Sequence, residues 1–235
     1  MTTPVTSAAS RTAARRQRLE RLRGLYAIAD GSVASTLPPL ELVAAFLRGG
    51  ARVVQLRLKQ VSDAELLRIA SQAAIQCRDA GALFLVNDRP DIARLAGADG
   101  VHLGQEDLPI EAARAVLGPD ALIGLSTHSD AELDAAIAAG ADCVGFGPIF
   151  ATSSKPGSPL PPPHGFEGLR RATARAHGVP VIAIGGLSEQ HASEVARAGA
   201  RCLAAIGELC RAADPEAAAR RLAHAFDRKE EQVGI

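Results

Sequence analysis

The chain has 235 residues, with 26 Lys+Arg against 26 Asp+Glu, and a formal net charge of zero. That balance argues against a broad nucleic-acid or membrane surface, which needs a basic excess, and with no Trp, one Tyr and six Phe there is little on which bases could stack. No run reaches 18 consecutive apolar residues, so no membrane span is expected, and the length suits a single α/β barrel.

Residues 1–23 carry six arginines and one acid, Glu20, among Ser, Thr and Ala. They read as a basic, disordered tail leading into a short helix near Arg15–Arg23, with an organellar transit peptide as the alternative for the same composition. From 24 to 230 one pattern repeats: a short apolar run ends in polar residues, a helical stretch follows, and the next run begins. The expected strands are Leu25–Asp30, Val53–Lys59, Leu83–Asp88, Gly100–Gln105, Leu122–His128, Cys143–Phe150, Val179–Gly186 and Cys202–Gly207. Between them apolar residues recur at helical spacing, as in Leu66, Ile69, Ala70 and Ala73. Glycines at 50, 81, 97, 140 and 199 punctuate the helix-to-strand joints, and Ser62, Ser129 and Ser188 are candidate helix caps. Strands alternating with helices imply a parallel sheet, and eight units predict a single-domain (β/α)8 TIM barrel over 24–230. A doubly wound open sheet is the alternative, but Ala29-Asp30-Gly31-Ser32 offers no glycine fingerprint after the first strand. The Pro-, Ser- and Gly-rich segment Ala151–Gly165 reads as a functional loop, and Pro215–Arg228 as a closing helix. Cys77, Cys143, Cys202 and Cys210 form no CxxC pair and read as buried thiols of a reducing, cytoplasmic protein.

In such a barrel the reactive face lies at the C-terminal ends of the strands. Alternation along the second strand puts Gln55, Arg57 and Lys59 on the inner side and Leu56 and Leu58 on the outer one. Two inward cations need an anion, although a snorkelling pair at a strand end is the plainer reading. Asn87-Asp88 and Asp107 close the neighbouring third and fourth strands. Mg2+ is typically held by one or two carboxylates plus substrate phosphates, and Arg57 and Lys59 would supply the diphosphate half of such a site. Each acid could instead cap the helix that follows it. Ser126 ends the fifth strand, and Thr152, Ser154 and Lys155 follow the sixth. Gly186, Ile206 and Gly207 lie after the seventh and eighth, the common phosphate position of this fold, where glycines could equally serve tight turns alone. His128 is either a general acid/base or the start of a helix, and His102 reads as a core histidine.

Taken in order, Gln55-x-Arg57-x-Lys59, Asn87-Asp88, Gly100-Val101-His102-Leu103-Gly104-Gln105-Glu106-Asp107, Gly124-x-Ser126-Thr127-His128, Gly147-Pro148-Ile149-Phe150-x-Thr152 with Lys155, and Gly185-Gly186 resemble the thiamine phosphate synthases. The resemblance covers about residues 24–210. It implies a barrel transferase that joins a pyrimidine diphosphate to a thiazole phosphate, with release of pyrophosphate. Gln55, Arg57, Lys59, Asn87, Ser126 and Lys155 would bind the diphosphate substrate, with Arg57, Lys59 and Lys155 catalytic. Asp88 and Asp107 would hold Mg2+, and Thr152, Ser154, Gly186, Ile206 and Gly207 the thiazole phosphate. Ser154 stands where the family usually has Thr, and Gly207 where it usually has Ser. The related thiazole tautomerases share the fold and use a histidine where His128 stands; a non-catalytic phosphate-binding barrel is the third reading. The implied partners are small molecules, with no nucleic acid and no membrane, and a homo-oligomer is compatible with the sequence.

Overall fold

The structure, a computed structural model, describes residues 12–35, 37–152 and 162–228. The first eleven residues of the expected tail, Ser154 and Lys155 of the long loop, and residues 229–230 of the expected barrel lie outside them.

Each apolar run forms a strand, and each intervening stretch supplies a helix. In chain order these are α1 Ala13–Arg21, β1 Gly24–Asp30, α2 Pro39–Arg48, β2 Val53–Arg57, α3 Asp63–Asp79, β3 Leu83–Asn87, α4 Pro90–Ala96, β4 Gly100–Leu103, α5 Ile110–Leu117 and β5 Leu122–Thr127. There follow α6 Asp130–Ala138, β6 Cys143–Phe146, α7 Gly165–Arg175, β7 Val181–Ile184, a 3-10 turn Glu189–His191, α8 Ala192–Arg197, β8 Cys202–Ala205, α9 Gly207–Cys210 and α10 Pro215–Asp227. The strands pair in sequence order, and β1 also pairs with β8 in parallel, which closes the barrel and excludes the open sheet.

The expected strands run too long at their C-terminal ends. Lys59, Asp88, Gly104–Gln105, His128, Gly147–Phe150, Gly185–Gly186 and Ile206–Gly207 all fall outside the ladder. Asp88, Gly185 and Gly186 have φ of 63°, 100° and 64°, and no strand continues through that region. Departure from the ladder turns the polar ends into a rim. The joint glycines have the left-handed conformation expected of them. Ser62 and Ser129 accept from the N–H of Glu65 and Glu132. Ser188 caps the 3-10 turn in a capping box, in which its own N–H donates to His191 Nδ1 at 3.1 Å.

Inward-facing Tyr26, Ile28, Gln55, His102, Ser126, Ile182 and Ile184 fill the barrel around a void of about 20 Å3. His102 fits because Gly124 and Gly145 flank it: a Cβ on Gly124 would stand 2.5 Å from Nδ1. All four cysteines are free and buried.

The floor of the barrel carries the basic N-terminal helix. No residue of α1 is fully buried; Leu19 packs against the core, and polar contacts add to the docking. Arg15 Nε meets Asp142 Oδ1 at 2.6 Å, and Arg18 Nε meets Asp99 Oδ1 at 2.9 Å. Asp142, 0% exposed, also takes Arg114 Nη2 at 2.6 Å and the Ile123 N–H at 3.0 Å. Among the described residues no helix is long and apolar enough to cross a membrane.

Candidate active site

Two adjoining basins occupy the C-terminal ends of the strands. The first is charged and spans the mouths of β1 to β4. The β1–β2 register sets Asp30 beside Arg57, and Asp30 Oδ2 accepts from Arg57 Nη1 at 2.7 Å. Gln55, one alternation deeper, donates Nε2 to the Tyr26 hydroxyl at 2.8 Å. Beyond the end of β2, Lys59 Nζ reaches Asp88 Oδ2 at 3.0 Å.

Asp88 is one of two non-glycine residues with a positive φ among those described. Its N–H bonds to His102 O at 2.9 Å, and the left-handed turn, which Asp tolerates better than most residues, sets its carboxylate beside that of Asp107. The two acids are hydrogen-bonded to each other. Burial pushes the Asp107 carboxyl up and its bond to Asp88 adds to that, while the Gly104 N–H, 2.6 Å from Oδ2, acts the other way. For Asp88 burial also works upward, but the bonds to Asp107 and Lys59 outweigh it and hold its carboxyl below the ordinary range. Neither acid caps a helix: the N-cap positions of α4 and α5 are Arg89 and Pro109. Two adjacent carboxylates beside two cations are hard oxygen donors of the kind Mg2+ takes. No third His, Cys, Asp or Glu joins them among the described residues, so water and ligand oxygens would complete any such shell.

The second basin, across β5 to β8, is a cavity of about 380 Å3. Ser126, Thr152, Gly186, Ile206 and Gly207 all line it, together with His128 and Arg211. Ser126 links the two basins, because its Oγ lies 3.0 Å from His102 Nε2 and its carbonyl accepts from Gln105 Nε2 at 2.6 Å. The glycine pair is required by packing as well as by backbone angle. A Cβ on Gly185 would come within 2.7 Å of Pro148, and one on Gly186 within 2.7 Å of Ala151 O. His128 does not stand alone: its N–H and Nδ1 lie 2.8 and 3.1 Å from Glu132 Oε2.

The structure therefore brings Gln55, Arg57, Lys59, Asn87, Asp88 and Asp107 to one side of the rim and Ser126, Thr152, Gly186, Ile206 and Gly207 to the other. Ser154 and Lys155 lie outside the described residues. The sequence reading missed Tyr26 and Asp30. The signal was available: the alternation that turns Gln55 and Arg57 inward on β2 turns Tyr26, Ile28 and Asp30 inward on β1.

A closed parallel barrel whose polar residues gather in two basins at its strand ends is the architecture of a (β/α)8-barrel enzyme. Comparison with known proteins narrows the class. The chain belongs to the thiamine monophosphate synthase family, whose model matches residues 25–209. A thiamine-phosphate synthase of Anaeromyxobacter dehalogenans is 48% identical over 222 residues, covering 94% of each chain. One of Myxococcus xanthus is 44% identical over 206 residues, covering 87% of this chain and 93% of the relative. Among solved structures, thiamine phosphate pyrophosphorylase of Pyrococcus furiosus superposes with a TM-score of 0.80 at 35% identity, covering 89% of this chain and 98% of that one.

Proposed function

We propose that the protein is a thiamine-phosphate synthase, which condenses 4-amino-5-hydroxymethyl-2-methylpyrimidine diphosphate with hydroxyethylthiazole phosphate to give thiamine phosphate and pyrophosphate. Family membership supports the reaction, and relatives of 48% and 44% identity carry that name. The observation that carries the reading is the pair of adjoining basins: a charged one suited to a diphosphate and a glycine-lined one suited to a second, smaller anion. The tautomerase and non-catalytic readings are not favoured by these relatives.

The bond that breaks joins the pyrimidine methylene carbon to the diphosphate oxygen, and its electron pair leaves with pyrophosphate. The bond that forms uses the lone pair of the thiazole nitrogen. No enzyme nucleophile is required, so positioning and stabilisation of the leaving charge carry the catalysis. Arg57, Lys59 and Lys155 take the role of stabilising departing pyrophosphate. Gln55, Asn87 and Ser126 hold the pyrimidine side. Gln55 donates one amide N–H to Tyr26, and that bond orients its carbonyl oxygen as an acceptor for the ring amino group. Asp88 and Asp107 would hold Mg2+, which when bound supplies positive charge to the leaving diphosphate. Thr152, Ser154 and the backbone at Gly186, Ile206 and Gly207 take the thiazole phosphate. We place the protein in the cytoplasm, a location its four buried free thiols suit.

The test is product analysis by mass spectrometry with both substrates, and with each omitted. Thiamine phosphate and pyrophosphate are expected in equal amounts, and only when both substrates are present. Their absence, with a proton shifted on the thiazole alone as read by NMR, since tautomers have equal mass, would replace this reading with a tautomerase.

A further inference from the structure

We infer that Asp30 is a positioning residue, which grips the Arg57 guanidinium by one nitrogen and thereby aims the rest of the fork at the leaving diphosphate. The inference rests on the proposed role of Arg57. Asp30 is the last residue of β1 and only 1% exposed. Both its oxygens are engaged. Oδ2 accepts from Arg57 Nη1 at 2.7 Å, and Oδ1 accepts from the Ser32 N–H and Oγ–H at 2.8 and 2.6 Å. Ser32 Oγ also accepts from Arg57 Nη1, at 3.1 Å. The carboxylate is thus tied to the backbone of its own turn, and the guanidinium is tied to the carboxylate.

The grip is one-sided. Guanidinium–carboxylate pairs are frequently bidentate, yet here every bond goes to Nη1. Nε and Nη2 have no hydrogen-bond partner among the described residues, on a side chain that is 11% exposed. A largely buried planar fork with one edge anchored and another unspent matches a bidentate oxyanion, and phosphate is the oxyanion whose geometry suits it. Lys59 offers a contrast. Its side chain is 53% exposed, and its partner Asp88 also bonds Asp107. Lys59 can swing to meet a ligand, whereas Arg57 is fixed before one arrives. Asp30 in addition keeps Arg57 from being an isolated buried cation, which would be costly.

The test is steady-state kinetics, with inhibition by inorganic pyrophosphate, on Asp30→Asn, Arg57→Lys, the double variant and Arg57→Ala. Asp30→Asn is expected to raise the KM for the pyrimidine diphosphate and the Ki of pyrophosphate about tenfold, with the KM for thiazole phosphate within about twofold. In the Arg57→Lys background, where no fork remains to be aimed, Asp30→Asn should cost less than about twofold more. The same penalty in both backgrounds, or a parallel rise in both KM values, would make Asp30 a structural residue and overturn the inference. If Asp30→Asn does not fold, Ser32→Ala decides: a rise of about threefold in the pyrophosphate Ki alone supports the inference, and an unchanged Ki overturns it. Arg57→Ala separates the two levels. A normal pyrophosphate Ki in that variant removes the role of Arg57 itself, whereas a large rise beside a silent Asp30→Asn removes only the inference about Asp30.

Discussion

Fully buried Asp142 at the floor of the barrel and the half-buried pair Asp88 and Asp107 at its rim are held in opposite ways. At the floor, Asp142 is met by two arginines and a backbone N–H, all within 3.0 Å. At the rim, Asp88 and Asp107 face each other, and burial together with their mutual contact pushes the Asp107 carboxyl up. The floor acid is satisfied by the fold, and its role is to hold α1 and the barrel together. The rim pair has a single ion-pair partner among the described residues, Lys59, and two oxygen-donor groups side by side suit the cation proposed for them. Stabilisation and function therefore fall at opposite ends of the same strands.

The largest expected effect breaks the floor. Asp142→Ala leaves Arg15 and Arg114 without their shared carboxylate, and removal of one partner from a buried ion pair costs about 3–5 kcal/mol. Urea unfolding should show that loss, with turnover per folded molecule unchanged. A loss below about 1 kcal/mol would mean that α1 is held by something other than its ion pairs.

The second inverts the result. Asp107→Asn keeps an acceptor for the Gly104 N–H but removes a charge. Turnover should fall by about two orders of magnitude, or roughly 3 kcal/mol of activation energy, while thermal stability holds or rises because the acid–acid contact is gone. Comparable turnover in the variant would remove Asp107 from the metal site.

Much of this contrast was legible in the sequence, and the rest was hidden for identifiable reasons. All eight strands follow from apolar runs bounded by glycine joints, because a parallel barrel strand buried on both faces leaves an unbroken apolar signature. The rim residues follow from what each run ends with. Their fine placement does not, because the left-handed turn at Asp88 depends on a bond to His102 O on the next strand. Asp30 and Asp142 were hidden for a different reason. Each looks like an ordinary polar residue at a joint, and their partners lie 27 residues away for Arg57 and 127 for Arg15. The arginines of α1 read as tail composition because their acids belong to the barrel floor.

The smallest effect concerns the thiols of the core, which belong to neither end. Burial pushes the Cys77 thiol up from 9.0 to about 12, and the nearby Asp99 adds to it. The folded state therefore keeps this thiol protonated where the unfolded chain would ionise it. Stability should fall as pH rises from about 9 toward 12. At pH 8 a thiol reagent should label the native protein slowly and the urea-unfolded protein fully. Rapid labelling of all four cysteines in the native state would contradict the packed interior.

The claim that the rim pair awaits a cation is tested most directly by following thiamine phosphate formation while the metal is stripped with a chelator and then restored as Mg2+. The account predicts that turnover disappears with chelation and returns in full with Mg2+ in the wild type, but does not return in Asp107→Asn. Undiminished turnover in excess chelator would contradict it.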